Sequence, residues 1–87
     1  MNEVTYPAVI TKTQQGLRVD FPDLPDAFAH GENKQAAISN AQLALAMVII
    51  DRQTHYEEVP TPSPLAQVAA NHPEGQVNEI TVDLDQY

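Results

Sequence analysis

The chain has 87 residues, with 12 acidic against 4 basic side chains and no cysteine. That length holds one core, burying about 60 to 68% of the unfolded chain's surface, and the missing thiols exclude disulfide bracing and thiolate metal sites. The formal net charge of −8 repels nucleic-acid phosphates and steers association with basic proteins, although acidity also serves the solubility of any small domain.

In chain order, residues 4–12 read as a first strand, with Val4, Tyr6, Ala8 and Ile10 on one face. Pro7 lacks the donor that a central strand needs, so its nitrogen is expected where no neighbouring strand reaches. Lys12 to Gly16 is a polar hairpin loop. Residues 17–21 form a second strand, in which Leu17, Val19 and Phe21 alternate with Arg18 and Asp20. Pro22 and Pro25 then fix φ twice and force a turn. A short third strand at 27–30 follows, closed by Gly31, whose freedom to take a positive φ suits the entry to a helix.

That helix is expected over 34–52, with Asn33 as N-cap and Ala37, Ala41, Ala44, Leu45 and Val48 on the face that lies on the sheet. Gln35, Ser39 and Gln42 fall opposite, towards water. Leu43, Ala46, Met47 and Ile50 make a second apolar stripe that needs cover. A proline-punctuated linker at 54–62 leads to a second helix at 64–71, with Ser63 as N-cap and Pro64 at its first position. This helix is expected over part of the stripe. Residues 77–85 alternate as a last strand, reached by a helical crossover and therefore expected parallel to the first. The fold class is α+β: three antiparallel strands plus a parallel fourth, order 4-1-2-3, with helices on one face.

The run Phe21-Pro22-Asp23-Leu24-Pro25, then Gly31 and a helix carrying Ala37, Ala41 and Ala44, resembles the HicB antitoxin family. Tyr6 to Ile10 is similar to that family's first strand, Val59 to Ser63 to its linker, and Val82 to Tyr87 to its last strand, so the resemblance covers the N-terminal domain. It implies a partial ribonuclease-H-like or double-stranded-RNA-binding-domain-like sandwich. It also implies an antitoxin that neutralises a HicA-like toxin, a small basic ribonuclease cutting messenger RNA. Asp26 stands where the family has glycine after the second proline, which leaves the turn type open. Complete members continue into a DNA-binding segment; residues 1–87 contain none.

No motif for catalysis, a cofactor or a metal emerges. Asp83 and Asp85 form the one Asp-x-Asp pair at a strand end, the basis of a remote reading as an acidic metal-dependent nuclease. His30, His55 and His72 lie in three separate loops or element ends. Ser39 and Ser63 have no nucleophile elbow, and the 3 glycines form no phosphate loop. The longest unbroken apolar run, Leu43 to Ile50, is too short for a bilayer, and no basic segment precedes an apolar one at the start, so neither a membrane span nor a signal peptide is expected. A cytoplasmic binding module is the expectation. Asp20, Asp23, Asp26, Glu32, Glu79 and Asp83 are the candidates for meeting a basic toxin. Leu43, Met47 and Ile50 are the candidates for self-association in the alternative reading, a homo-oligomer without a toxin.

Overall fold

The computed structural model describes residues 2–87. They form β1 (Glu3–Thr13), β2 (Gly16–Asp20), β3 (Phe28–Gly31), α1 (Lys34–Thr54), α2 (Leu65–Asn71) and β4 (Gln76–Asp83), followed by one 3₁₀ turn at Leu84–Gln86. The sheet order is β3-β2-β1-β4, matching the expected neighbours.

All three pairings are antiparallel, which corrects the expectation of a parallel fourth strand. Ile10 pairs with Gln76 and Glu3 with Asp83, so β4 enters at the far end of β1. A single helical crossover would have brought the chain back to the start of β1. Here the linker and α2 make a further traverse after α1, which reverses the direction of the last strand. The mixed sheet expected from the crossover is therefore replaced by an antiparallel one, and the parallel strand of the expected ribonuclease-H-like sandwich is absent from the described residues.

The helices also occupy different faces. Tyr6, Ala8 and Ile10 share one buried cluster with Val19, Phe21, Ile80 and Val82 from the sheet, and with Ala37, Ala41, Leu45, Ala46 and Ile49 of α1. Pro7 and Val9, on the opposite face of β1, are just as buried, as is Val68 of α2, yet Val9 and Val68 lie outside that cluster. Since α2 packs on β1 and β4, it covers this second face. It therefore leaves Leu43 and Met47 of the expected stripe exposed, while Ala46 is buried in the main core and Ile50 packs partly against it, which corrects the expectation that α2 covers the stripe.

The double-proline turn is two consecutive tight turns. Leu24 N–H donates to the Phe21 carbonyl at 3.0 Å and Ala27 N–H to the Leu24 carbonyl at 2.8 Å. Each proline occupies the second position of its turn, which its fixed φ suits. Phe21, Leu24 and Ala27 recur every third residue and are all buried, so the turn is an apolar plug at the end of the sheet. Among the described residues only Gly16 and Tyr56 have positive φ. Asp26 therefore does not take the left-handed conformation that a type II turn requires at its third position.

Gly31 earns its place differently from the expectation, since it has no positive φ. A Cβ there would stand 2.2 Å from the Ala37 nitrogen. The glycine is what lets β3 hand over to α1 at such close range. Asn33 caps α1 as expected, its side chain accepting from Ala36 N–H at 2.9 Å. At the other end Glu57 N–H donates to the Arg52 carbonyl and Tyr56 N–H to the Gln53 carbonyl. This paired arrangement normally places glycine in the left-handed position. Here that position is Tyr56, at φ 57° and 97% exposed.

Two amides on α1 guard the edges of the sheet. Ala41 faces the sheet and is fully buried, so Asn40 and Gln42 project to either side of the helix. Asn40 Nδ2 donates to the His30 carbonyl on β3 at 2.8 Å, and Gln42 Nε2 to the Thr81 carbonyl on β4 at 3.0 Å. Gln42 is thus an edge clamp and not simply a wet position. Because Thr81 turns its carbonyl outward, so does Glu79 two residues away, and its partner Pro7 turns its nitrogen away from β4. Pairing of β1 with β2 begins only at Val9. The missing proline donor consequently faces a gap where β2 does not reach.

Candidate protein-interaction surface

The predicted acidic contacts do not form one patch. Asp20 lies on the face of the sheet opposite α1 and accepts from Arg18 Nε through both oxygens, at 3.0 Å each. Asp23 turns inward to the linker, accepting from the backbone N–H of Ser63 at 2.9 Å and from its hydroxyl. Ser63 therefore serves the turn, and Pro64, expected at the first helical position, is instead the extended N-cap of α2, with no side-chain cap bond. Asp26 stands 3.5 Å from Arg52 near the end of α1. Asp83 caps the 3₁₀ turn by accepting from Asp85 N–H. Glu32 precedes α1 at the opposite end of the sheet and Glu79 sits on the outer strand; both are exposed.

The linker is pinned a second time by Tyr6, whose hydroxyl donates to the Pro60 carbonyl. Burial raises the Tyr6 phenol above its ordinary value, the Asp23 carboxylate adds to the rise, and Arg52 opposes it. Arg52 also donates to the Glu58 carbonyl at 3.3 Å, so the end of α1, the turn and the linker are tied through one guanidinium.

Among the described residues, two surfaces combine exposed apolar side chains with charged neighbours. Over β2 and β3, beside the β1 and β4 strands on which α2 packs, the Arg18 guanidinium lies 5.0 Å from the centroid of Phe28, and Phe28 meets His30 edge-on at 6.3 Å. Phe28 is 49% exposed. An aromatic beside a preorganised Arg–Asp pair has the composition of an interface anchor. Its signal in the sequence was the two-residue period around the inward Ala29, which sends Phe28 and His30 outward together.

The second surface is a groove of about 700 Å³ along the outer side of α1, lined by Leu43, Met47, Val48 and Ile50 from one side and by Tyr87 and Asp26 from others. The three residues predicted for self-association are thus brought together, with Leu43 and Met47 strongly exposed. Asp51, Arg52 and Glu57 border the groove. No local pattern announced Tyr87, which arrives from the far end of the chain, or Glu57, which the turn after α1 folds back beside Arg52. Beside them, His55 Nδ1 lies 2.8 Å from the Asp51 carbonyl. That carbonyl, and then the Asp51 carboxylate, hold the imidazole above its usual pKa. Asp51, His55 and Glu57 could converge on an ion, but all three are exposed, and Asp83 and Asp85 of the nuclease reading are not among them.

A family model described as the HicB-like antitoxin of bacterial toxin-antitoxin systems matches residues 6–87. The chain belongs to the HicB-like antitoxin family. A 14.9 kDa protein from the rep-hol intergenic region of Haemophilus phage HP1 is 35% identical over 81 residues, covering 92% of this chain and 60% of that protein. Antitoxin HicB 2 of Photorhabdus laumondii is 34% identical over 58 residues, covering 67% of this chain and 42% of that protein. This HicB-like chain therefore spans less than two thirds of the length of both curated relatives. Among solved structures, a chain of the HicA3 and HicB3 toxin-antitoxin complex is 25% identical with TM-score 0.77, over 92% of this chain and 99% of that one. The N-terminal domain of Burkholderia pseudomallei antitoxin HicB has the same fold, with 24% identity, TM-score 0.81, and coverage of 93% and 100%.

Proposed function

We propose that this chain is an antitoxin module that binds a HicA-like, mRNA-cleaving toxin and neutralises it by covering its active surface. It works by binding, and it supplies no catalytic group of its own. The observation that carries this reading is membership of the HicB-like family over residues 6–87, alongside likeness to a chain of a HicA–HicB complex. Net charge supports it, because a surplus of 8 negative charges attracts a basic ribonuclease and opposes competing RNA. No described helix is long and apolar enough to cross a membrane, and the setting we propose is the cytoplasm.

Asp20, Asp26, Glu32, Glu79 and Asp83 are the carboxylates offered to the toxin's Lys and Arg. Asp23 is the weakest of the six candidates, because Ser63 already occupies both its oxygens. The test is an RNA-cleavage assay with a purified HicA-like toxin. Wild-type chain is expected to suppress cleavage, and joint replacement of Asp20 and Asp26 by Asn is expected to weaken suppression by about tenfold. Undiminished suppression would remove those two residues from the contact.

A second reading, a homo-oligomer without a toxin, is favoured by the exposure of Leu43 and Met47 on one groove. Sedimentation of Met47→Glu tests it, since this reading expects a folded variant that falls to monomer.

A further inference from the structure

We propose that the groove on the outer side of α1 is a docking site for a basic segment with apolar anchors, supplied by the partner protein. This rests on the antitoxin reading and adds to it the surface used. The floor is apolar and already open: Met47 is 60% exposed, Leu43 45% and Tyr87 54%, so the groove needs no rearrangement to admit a side chain.

The rim decides the occupant. Asp26, Asp51 and Glu57 face the groove, with Arg52 as the only cation in its lining among the described residues. Arg52 lies 3.5 Å from Asp26 and donates to the Glu58 carbonyl, so these two charges compensate each other and Asp51 and Glu57 leave the rim acidic. An apolar floor inside an acidic rim complements Lys or Arg flanking Leu-like anchors. A second copy is the poorer fit. Two such grooves facing each other would bring together Asp51 and Glu57 of both copies, with each copy carrying a net charge of −8. Nor does α2 compete, since it lies across the opposite face of the sheet on β1 and β4.

The probe is a fluorescein-labelled helical peptide of about sixteen residues, with leucines at i, i+3, i+4 and i+7 and lysines between them. A peptide with the same leucines and glutamates in place of the lysines is the control. Binding to the full chain is read by anisotropy. The lysine peptide is expected to bind and the glutamate peptide not to bind. Met47→Glu is the deciding variant, because it adds a negative charge and so would strengthen any diffuse attraction of the lysines, whereas loss of the floor weakens docking. The expected result is a loss of about tenfold or more, with circular dichroism showing the variant folded. Joint change of Asp51→Asn and Glu57→Gln is expected to lower affinity and its salt dependence.

Equal binding by Met47→Glu, or equal binding of the two peptides, would overturn the proposal. So would a wild-type dimer that Met47→Glu converts to monomer, because the groove would then be an interface between copies. The antitoxin reading fails separately. If wild-type chain suppresses a HicA-like toxin and Met47→Glu does so equally well while Phe28→Ala does not, the docking surface is the β2–β3 platform and only the groove proposal falls. If wild-type chain never suppresses the toxin, the reading falls whatever the peptides do.

Discussion

Tyr6 shows how much one side chain does in a domain of this size. Its ring joins the main core while its hydroxyl holds the Pro60 carbonyl, and burial raises its pKa. The neutral form is the one favoured by folding. Stability from this group is therefore complete below the unfolded phenol's value of 10.0 and is lost as pH rises towards the higher folded value. Tyr6→Phe is expected to cost roughly 1 kcal/mol near neutral pH and to flatten the decline above about pH 10. Denaturant melts across that range check it; an unchanged alkaline slope would show that Tyr6 does not carry the linkage. At this scale the sequence was partly legible. The conflict at Pro7 and the cap at Asn33 could be read from neighbours along the chain. The reason for Gly31 could not, because the atom its Cβ would strike belongs to Ala37, brought close by packing.

At the scale of elements, α1 organises the sheet. Alanines at 37 and 41 let it lie close, and the amides on either side of Ala41 reach the outer carbonyls of both edge strands. Edge strands with open backbone groups invite pairing between molecules. The double variant Asn40→Ala with Gln42→Ala is expected to keep its fold and to self-associate as concentration rises. Light scattering would show it, and a variant as monodisperse as the parent would rule out the guarding role. Strand spacing and sheet order were legible from alternation and from loop length. The direction of β4 was not, because alternation is the same for parallel and antiparallel strands. Only the number of traverses between α1 and β4 decides it, and that depends on α2 crossing to the face of Pro7 and Val9. A helix as short as Leu65–Asn71, with Val68 as its buried residue, carries too little pattern to say which face it covers.

For the whole molecule, the account joins an acidic surface to two uncovered patches, the groove on α1 and the platform of Arg18, Phe28 and His30. Charge was legible from composition alone, and the family from the double-proline run. The distribution of charge was not. Acids that looked equivalent in sequence are divided by folding into ones that brace the chain, such as Asp23, and ones that face outward, such as Glu79. The central claim is that this module acts by occupying another protein's basic surface. Titration calorimetry of the chain into a purified HicA-like toxin, at about 0.1 M and about 0.5 M salt, tests it most directly. The account predicts saturable stoichiometric binding that weakens at the higher salt. Absence of binding at low salt, or affinity indifferent to salt, would contradict it.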